Sequence, residues 1–239
     1  MVLTRIRDGL SSKLAFFPPT PPSYKIETHG DGRREPYIEP TDKIHYKKVP
    51  RAEIAEIPIT NGRGKGETIV TAYIKAPTPV RFTLLHSHGN AVDLGQMLGF
   101  YEQLARLLHC NVFAYDFRGY GQSSGTPAAS ACLVDVSTAL KYLMEKYNKE
   151  LKDIVLYGQS IGSGPTSYLA SVTPGLAGVI LHSAFMSGLR VLKPNLTKFW
   201  PSSFDIFVNI KYVPKISCRT LIMHVSCWIY GKEIMGFII

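Results

Sequence analysis

Apolar and polar positions alternate in strand fashion in AEIAEIPIT (52–60) and ETIVTAYIK (67–75), and the glycine-rich loop NGRGKG (61–66) between them predicts a hairpin. VRFTLLHSH (80–88) follows as an apolar strand. The period then changes: Leu94, Met97, Leu98, Tyr101, Leu104 and Leu108 recur every three or four residues through 93–110, which predicts an amphipathic helix. Beyond it, NVFAYD (111–116), DIVLYG (153–158), AGVILHS (177–183) and RTLIMHV (219–225) read as strands, with helices over 130–148 and 161–171. Strands that alternate with helices after an opening hairpin form a mostly parallel sheet covered on both faces. The expected class is α/β, in one core over 51–224, with an N-terminal segment and polar linker over 1–50 and a divergent tail over 225–239.

The first 17 residues place Leu3, Ile6, Leu10 and Leu14 on one helical stripe, consistent with an interfacial membrane anchor or with a short helix docked on its own domain. No run approaches the roughly 18 apolar residues of a membrane span, so contact with a membrane is expected to be peripheral at most. The net charge of +9 is spread over scattered residues such as Arg5, Arg33, Lys47 and Arg51, with no basic helix, and nucleic acid is not an expected partner. Cys110, Cys132, Cys218 and Cys227 show no C-x-x-C spacing and read as reduced thiols rather than disulfides or zinc ligands. No metal or organic cofactor is implied.

The candidate chemistry centres on Gly158-Gln159-Ser160-Ile161-Gly162, which follows a buried strand and opens a helix. That context suits a nucleophile elbow, where a tight turn lifts the serine oxygen above the sheet edge and needs small residues on either side. The matching element is HSHGN (86–90), directly after the third strand. An oxyanion hole takes one backbone N–H from the residue after the nucleophile, Ile161, and one from this loop, at Asn90 or Ala91. His88 beside those donors is expected to shape the loop rather than act as base.

Several linked motifs, KLAFFPPTPPSY (13–24), SHGNAVDLGQM (87–97), YDFRGYGQSSGTP (115–127), LYGQSIGSGPT (156–166), ILHSAFMSGLRV (180–191) and FDIFVNI (204–210), make the chain resemble the α/β-hydrolase domain-containing 17 family of membrane-associated protein depalmitoylases. The resemblance runs from about residue 13 to 224. It implies an α/β-hydrolase fold and a serine hydrolase that cleaves palmitoyl thioesters from protein cysteines. It also implies S-palmitoylated membrane proteins as substrates and a place in the cytoplasm, peripheral at the inner face of the plasma or endosomal membrane.

Two departures change what is expected. The N-terminal cysteine cluster of animal members is missing. After TLIMH (220–224) the family pattern stops, so that Trp228 stands where the resemblance places the catalytic aspartate and no histidine follows His224. The chain thus reads as C-terminally truncated, without the last strand and helices and without the triad aspartate and histidine. Asp116, Asp135 and Asp205 do not match catalytic positions, Asp116 and Arg118 read as organisers of the loops around the site, and His182 and His224 read as strand-end residues. Loss of the histidine from a comparable enzyme costs about six orders of magnitude in turnover, so impaired activity and an exposed edge on the strand 219–225 are the expectations. The alternatives are a non-catalytic acyl-binding protein, or a general carboxylesterase, lipase or peptidase on the same fold.

Overall fold

A computed structural model describes residues 8–9, 15–30, 32, 34–37, 52–62, 64–192, 205–224 and 237–238. The N-terminal stripe from Leu3 to Leu14, Cys227 and Trp228 lie outside them.

Among the described residues the main sheet has eight strands. The hairpin β3 (Ala52–Pro58) and β4 (Thr68–Ile74) forms one edge, and β4 pairs antiparallel with β6 (Asn111–Tyr115). From there β6, β5 (Thr83–Ser87), β7 (Ile154–Gln159), β8 (Gly178–His182) and β9 (Thr220–Met223) run parallel in that spatial order. The central strands are apolar on both faces, and consecutive residues divide between two cores. Leu85, Phe113, Leu156, Val179 and Leu181 pack beneath the helices α2 (Ala129–Tyr147) and α3 (Ser163–Val172). Leu84, Val112, Ala114 and Tyr157 face α1 (Leu94–Leu107), which contributes Leu94, Leu98 and Tyr101.

Two regions differ from the sequence expectation. Within the stretch read as linker, β1 (Lys25–Thr28) and β2 (Arg34–Tyr37) form a separate antiparallel pair. Polar residues dominate it, so hydrophobic patterning is weak; its start is fixed by the buried Tyr24 and the half-buried Ile26, which pack into the core beneath α1. At the other edge β9 is not bare: the two-residue strand β10 (Phe237–Ile238) pairs with it antiparallel, Phe237 opposite Ile222 and Ile238 opposite Leu221. Open strand edges recruit whatever extended backbone lies in reach. Among the described residues, no helix is long and apolar enough to cross a membrane.

Helix α1 starts at Asp93, whose extended backbone and carboxylate cap the Gln96 N–H. The same carboxylate accepts from the Ser23 N–H at 2.8 Å and from the Ser23 hydroxyl. Asp93→Ala should therefore cost about 2 kcal/mol, the upper end of a lost cap, read as a lower urea midpoint; Asp93→Asn, which can still cap, should recover most of it.

Candidate active site

Strand β7 ends in a one-turn 3-10 helix, Ser160–Gly162, that runs into α3. Ser160 has φ 50°, a left-handed conformation that costs a serine energy and persists only where its surroundings enforce it. The enforcement is steric. A β-carbon on Gly158 would lie 2.6 Å from the Gly162 carbonyl oxygen and from Thr166 Oγ1. One on Gly162 would collide with the Ser87 carbonyl oxygen and sit 2.6 Å from that of His88, and one on Gly164 would collide with the Phe207 ring. The turn is thus pressed between the end of β5 and the Phe207 side chain, with Ser160 half-buried at its apex and Ile161 buried behind it.

The same contacts put the loop after β5 against the elbow. Ser87 pairs with Gly158 in the sheet, and the Gly89 α-carbon faces the Gln159 side chain. In this loop the Ala91 N–H is held by Asn90 Oδ1 at 3.1 Å, with Ala91 at φ 58°. The Asn90 N–H carries no hydrogen bond among the described residues. Asn90 Oδ1 also accepts from the Phe17 N–H at 3.0 Å and the Tyr120 hydroxyl at 2.7 Å, while Nδ2 donates to the Ala15 carbonyl at 2.8 Å. Sequence reading missed this use of the Asn90 side chain and of Tyr120. Their partners lie far off in sequence, and only the aromatic content of YDFRGYG hinted at them.

His88 is fully buried, with Nδ1 donating to the Gly89 carbonyl at 2.7 Å and Nε2 3.5 Å from Asp116 Oδ1. Burial lowers its pKa to about 4, against the opposing Gly89 bond, and burial lowers His86 to about 3, helped by His88 and His182. Both imidazoles are therefore neutral at physiological pH. Asp116 accepts from the Leu94 N–H at 2.9 Å and the Tyr24 hydroxyl at 2.6 Å; burial pushes its pKa well above the usual carboxylate range despite the Tyr24 bond. His182 ends β8 with Nδ1 3.0 Å from the Tyr157 hydroxyl, on the face of α1, and His224 is exposed beyond β9. Among the described residues no histidine is hydrogen-bonded to Ser160. Nor does any cluster of His, Cys, Asp and Glu among them suit a metal ion.

Arg118 orders the loop after β6. Its Nε meets Asp135 at 2.6 Å, Nη1 meets Glu67 at 2.9 Å and Nη2 donates to the Ala131 carbonyl at 3.0 Å. Burial opposes the guanidinium charge, and Asp135 and Glu67 overcome that. Burial raises Asp135 to about 6, with Arg118 opposing. A raised carboxyl keeps a proton that the unfolded chain has already released, so its stability contribution is present at low pH and lost as pH rises. In the native protein that loss ends near pH 6. In Arg118→Met the Asp135 pKa climbs further and the loss continues above pH 6 at about 1.4 kcal/mol per unit. The variant should be about 3 kcal/mol less stable at pH 8 and visibly less penalised at pH 6, by urea midpoints at the two values.

A sharp strand–serine–helix turn on a mostly parallel sheet, with a donor-bearing loop from the neighbouring strand, defines an α/β hydrolase. Residues 83–215 match the family model described as alpha/beta hydrolase fold. The chain is 41% identical over 216 residues to alpha/beta hydrolase domain-containing protein aho-3 of Caenorhabditis elegans, covering 90% of this chain and 63% of that protein. It is 37% identical over 215 residues to human alpha/beta hydrolase domain-containing protein 17B, covering 90% of this chain and 73% of that one. The fold is shared with an α/β hydrolase of Vibrio vulnificus, at TM-score 0.58 and 16% identity over 74% of this chain and 65% of that one. It is also shared with the esterase Pf2001 of Pyrococcus furiosus, at TM-score 0.56 and 17% identity over 78% and 75% of the two chains. The chain belongs to the α/β-hydrolase domain-containing protein 17 family.

Proposed function

We propose that this chain is the serine-hydrolase module of an acyl-protein thioesterase, with Ser160 as the nucleophile that attacks the thioester carbonyl of a palmitoylated cysteine. The observation that carries the reading is Ser160 held at φ 50° between glycines that admit no side chain, directly against the loop after β5. In this reading the oxyanion is held by the N–H groups of Ile161 and Asn90, because the Ala91 N–H is already engaged by Asn90 Oδ1. Attack by the Ser160 oxygen, with its proton passing to water or hydroxide, gives a tetrahedral intermediate; its collapse expels the cysteine thiolate and leaves an acyl-serine that water hydrolyses. The long-chain thioester, the membrane-protein substrates and a location at the cytoplasmic face of a membrane are part of this proposal, and the motif resemblance supports them. Phe17, 56% exposed beside Asn90, adds apolar surface next to the loop.

The test compares a palmitoyl-cysteine peptide, a short oxygen ester and a peptide amide, with Ser160→Ala as blank. Thiol release above the blank, fastest with the palmitoyl peptide, is expected. Preference for the oxygen ester or the amide would move the protein to the carboxylesterases or peptidases. A second reading is favoured by one observation: no described histidine is bonded to Ser160. It is an acyl-binding protein without turnover, and retention of the intact palmitoyl peptide with no thiol release would support it.

A further inference from the structure

The segment Ala15–Tyr24 grips both ends of the loop between β5 and α1, although some 70 residues separate them in sequence. At the near end, Asn90 closes two bonds onto it, from the Phe17 N–H at 3.0 Å and to the Ala15 carbonyl at 2.8 Å. Tyr120 joins the same cluster, its hydroxyl donating to Asn90 and accepting from the Phe17 N–H at 3.2 Å. At the far end the Ser23 N–H reaches Asp93 at 2.8 Å, the Tyr24 hydroxyl reaches Asp116 at 2.6 Å, and Gln122 Nε2 donates to the Tyr24 carbonyl at 3.0 Å. Between these anchors Phe16 is 4% exposed and packs edge-on against Tyr120 and Phe207, with ring centroids 6.4 and 6.2 Å away. Phe207 in turn fills the space beside Gly164, in the helix behind Ser160. Four prolines, Pro18, Pro19, Pro21 and Pro22, stiffen the stretch between the anchors.

We propose that Ala15–Tyr24 is a positioning strap: its bonds to Asn90 and Asp93 hold the loop after β5 in the one orientation that aims the Asn90 N–H at the oxyanion formed on Ser160. This rests on the hydrolase reading above. The loop needs such a holder because Ala91 sits at φ 58°, a conformation that an alanine leaves unless its neighbours fix it. Asn90 Oδ1 fixes it by accepting the Ala91 N–H, and Oδ1 is itself fixed by the strap and Tyr120. The Asn90 side chain and the strap are thus positioning groups, acting through the backbone of the loop. The rate that survives in a hydrolase lacking its base comes from the oxyanion hole and binding, so even slow turnover reads the strap directly.

Two variants release the strap from opposite ends. Asn90→Leu removes the near anchor while keeping the backbone N–H, and the double variant Ser23→Ala/Tyr24→Phe weakens the far one, taking away the two hydroxyl bonds to Asp93 and Asp116 while the Ser23 N–H bond stays. Each is compared with the native chain by urea midpoint, by hydrogen–deuterium exchange over residues 86–94, and by kcat and KM on a 4-nitrophenyl ester. In both, exchange over 88–93 should accelerate about tenfold while β5 stays protected. kcat should fall at least about tenfold, part of the hundredfold or more that a lost oxyanion donor costs, with KM within twofold. Exchange unchanged in both variants, or faster exchange with kcat unaltered, would overturn the strap. The underlying reading fails differently: Ser160→Ala would then turn over the ester as fast as the native chain, and exchange alone would still show whether the segment holds the loop.

Discussion

Gly162→Ala is expected to leave little or no folded protein, a loss of more than about 5 kcal/mol, in the range reached only when a substitution breaks a specific structural requirement. The reason is not backbone freedom, since Gly162 has an ordinary φ of −62°. It is the absence of room: the new methyl would meet the carbonyl oxygens of Ser87 and His88, which are main-chain atoms with no rotamer to escape into. Ser87 cannot retreat, because β5 is paired on both sides, with Tyr115 of β6 and Gly158 of β7. Moving α3 away instead would open the contact of Gly164 with Phe207. Gly175→Ala is the informative contrast. It has φ +92° with nothing within 4 Å of the new atom, so it should cost only the left-handed backbone penalty of about 1–2 kcal/mol. Urea midpoints of the two variants, together with soluble yield, check the difference; equal costs would mean that the elbow yields more easily than its contacts indicate.

The two glycines flanking Ser160 were legible because the motif lies within five consecutive residues and its requirement is local. The central strands were legible for a related reason: when a parallel sheet is covered on both faces, residues such as Leu84 and Leu85, or Val112 and Phe113, are all apolar, and a short apolar run between helical patterns has few other readings. Legibility failed where structure depends on contacts distant in sequence. The pair β1 and β2 is polar and is registered by Tyr24, whose hydroxyl is bonded to Asp116 92 residues later. Asn90 reads as a backbone donor next to a motif histidine; only the folded chain reveals that its side chain ties Ala15, Phe17 and Tyr120 together. The short helices α4 (Gly188–Leu192) and α5 (Asn209–Tyr212) have too few turns to show a period at all. Asp116 and Arg118 sit on the boundary: their residue types announced a loop-ordering role, but their partners could not be named from spacing.

Ser160→Ala should remove fluorophosphonate labelling of the purified 239-residue chain to background, at least a hundredfold below the native rate, and the native rate should itself be slow. The elbow presents Ser160 half-buried at the head of a helix with the loop after β5 beside it, so the phosphoryl oxygen of the probe finds donors. In a comparable enzyme the histidine base is worth about six orders of magnitude in turnover, yet no described histidine is bonded to Ser160. His86 and His88 cannot take that part, because burial lowers them to about 3 and 4, too weakly basic to hold the serine proton, and each is committed to another partner. The pH profile of labelling separates the possibilities. If hydroxide or water removes the Ser160 proton, the logarithm of the rate climbs steadily between pH 6 and 9. If an imidazole does so, the profile bends to a plateau once that imidazole has lost its proton. The steady climb is the expected result. A plateau that vanishes in His182→Gln or His224→Gln would instead identify that side chain as reaching the elbow, and would require His182 to exchange its bond with the Tyr157 hydroxyl for one with Ser160.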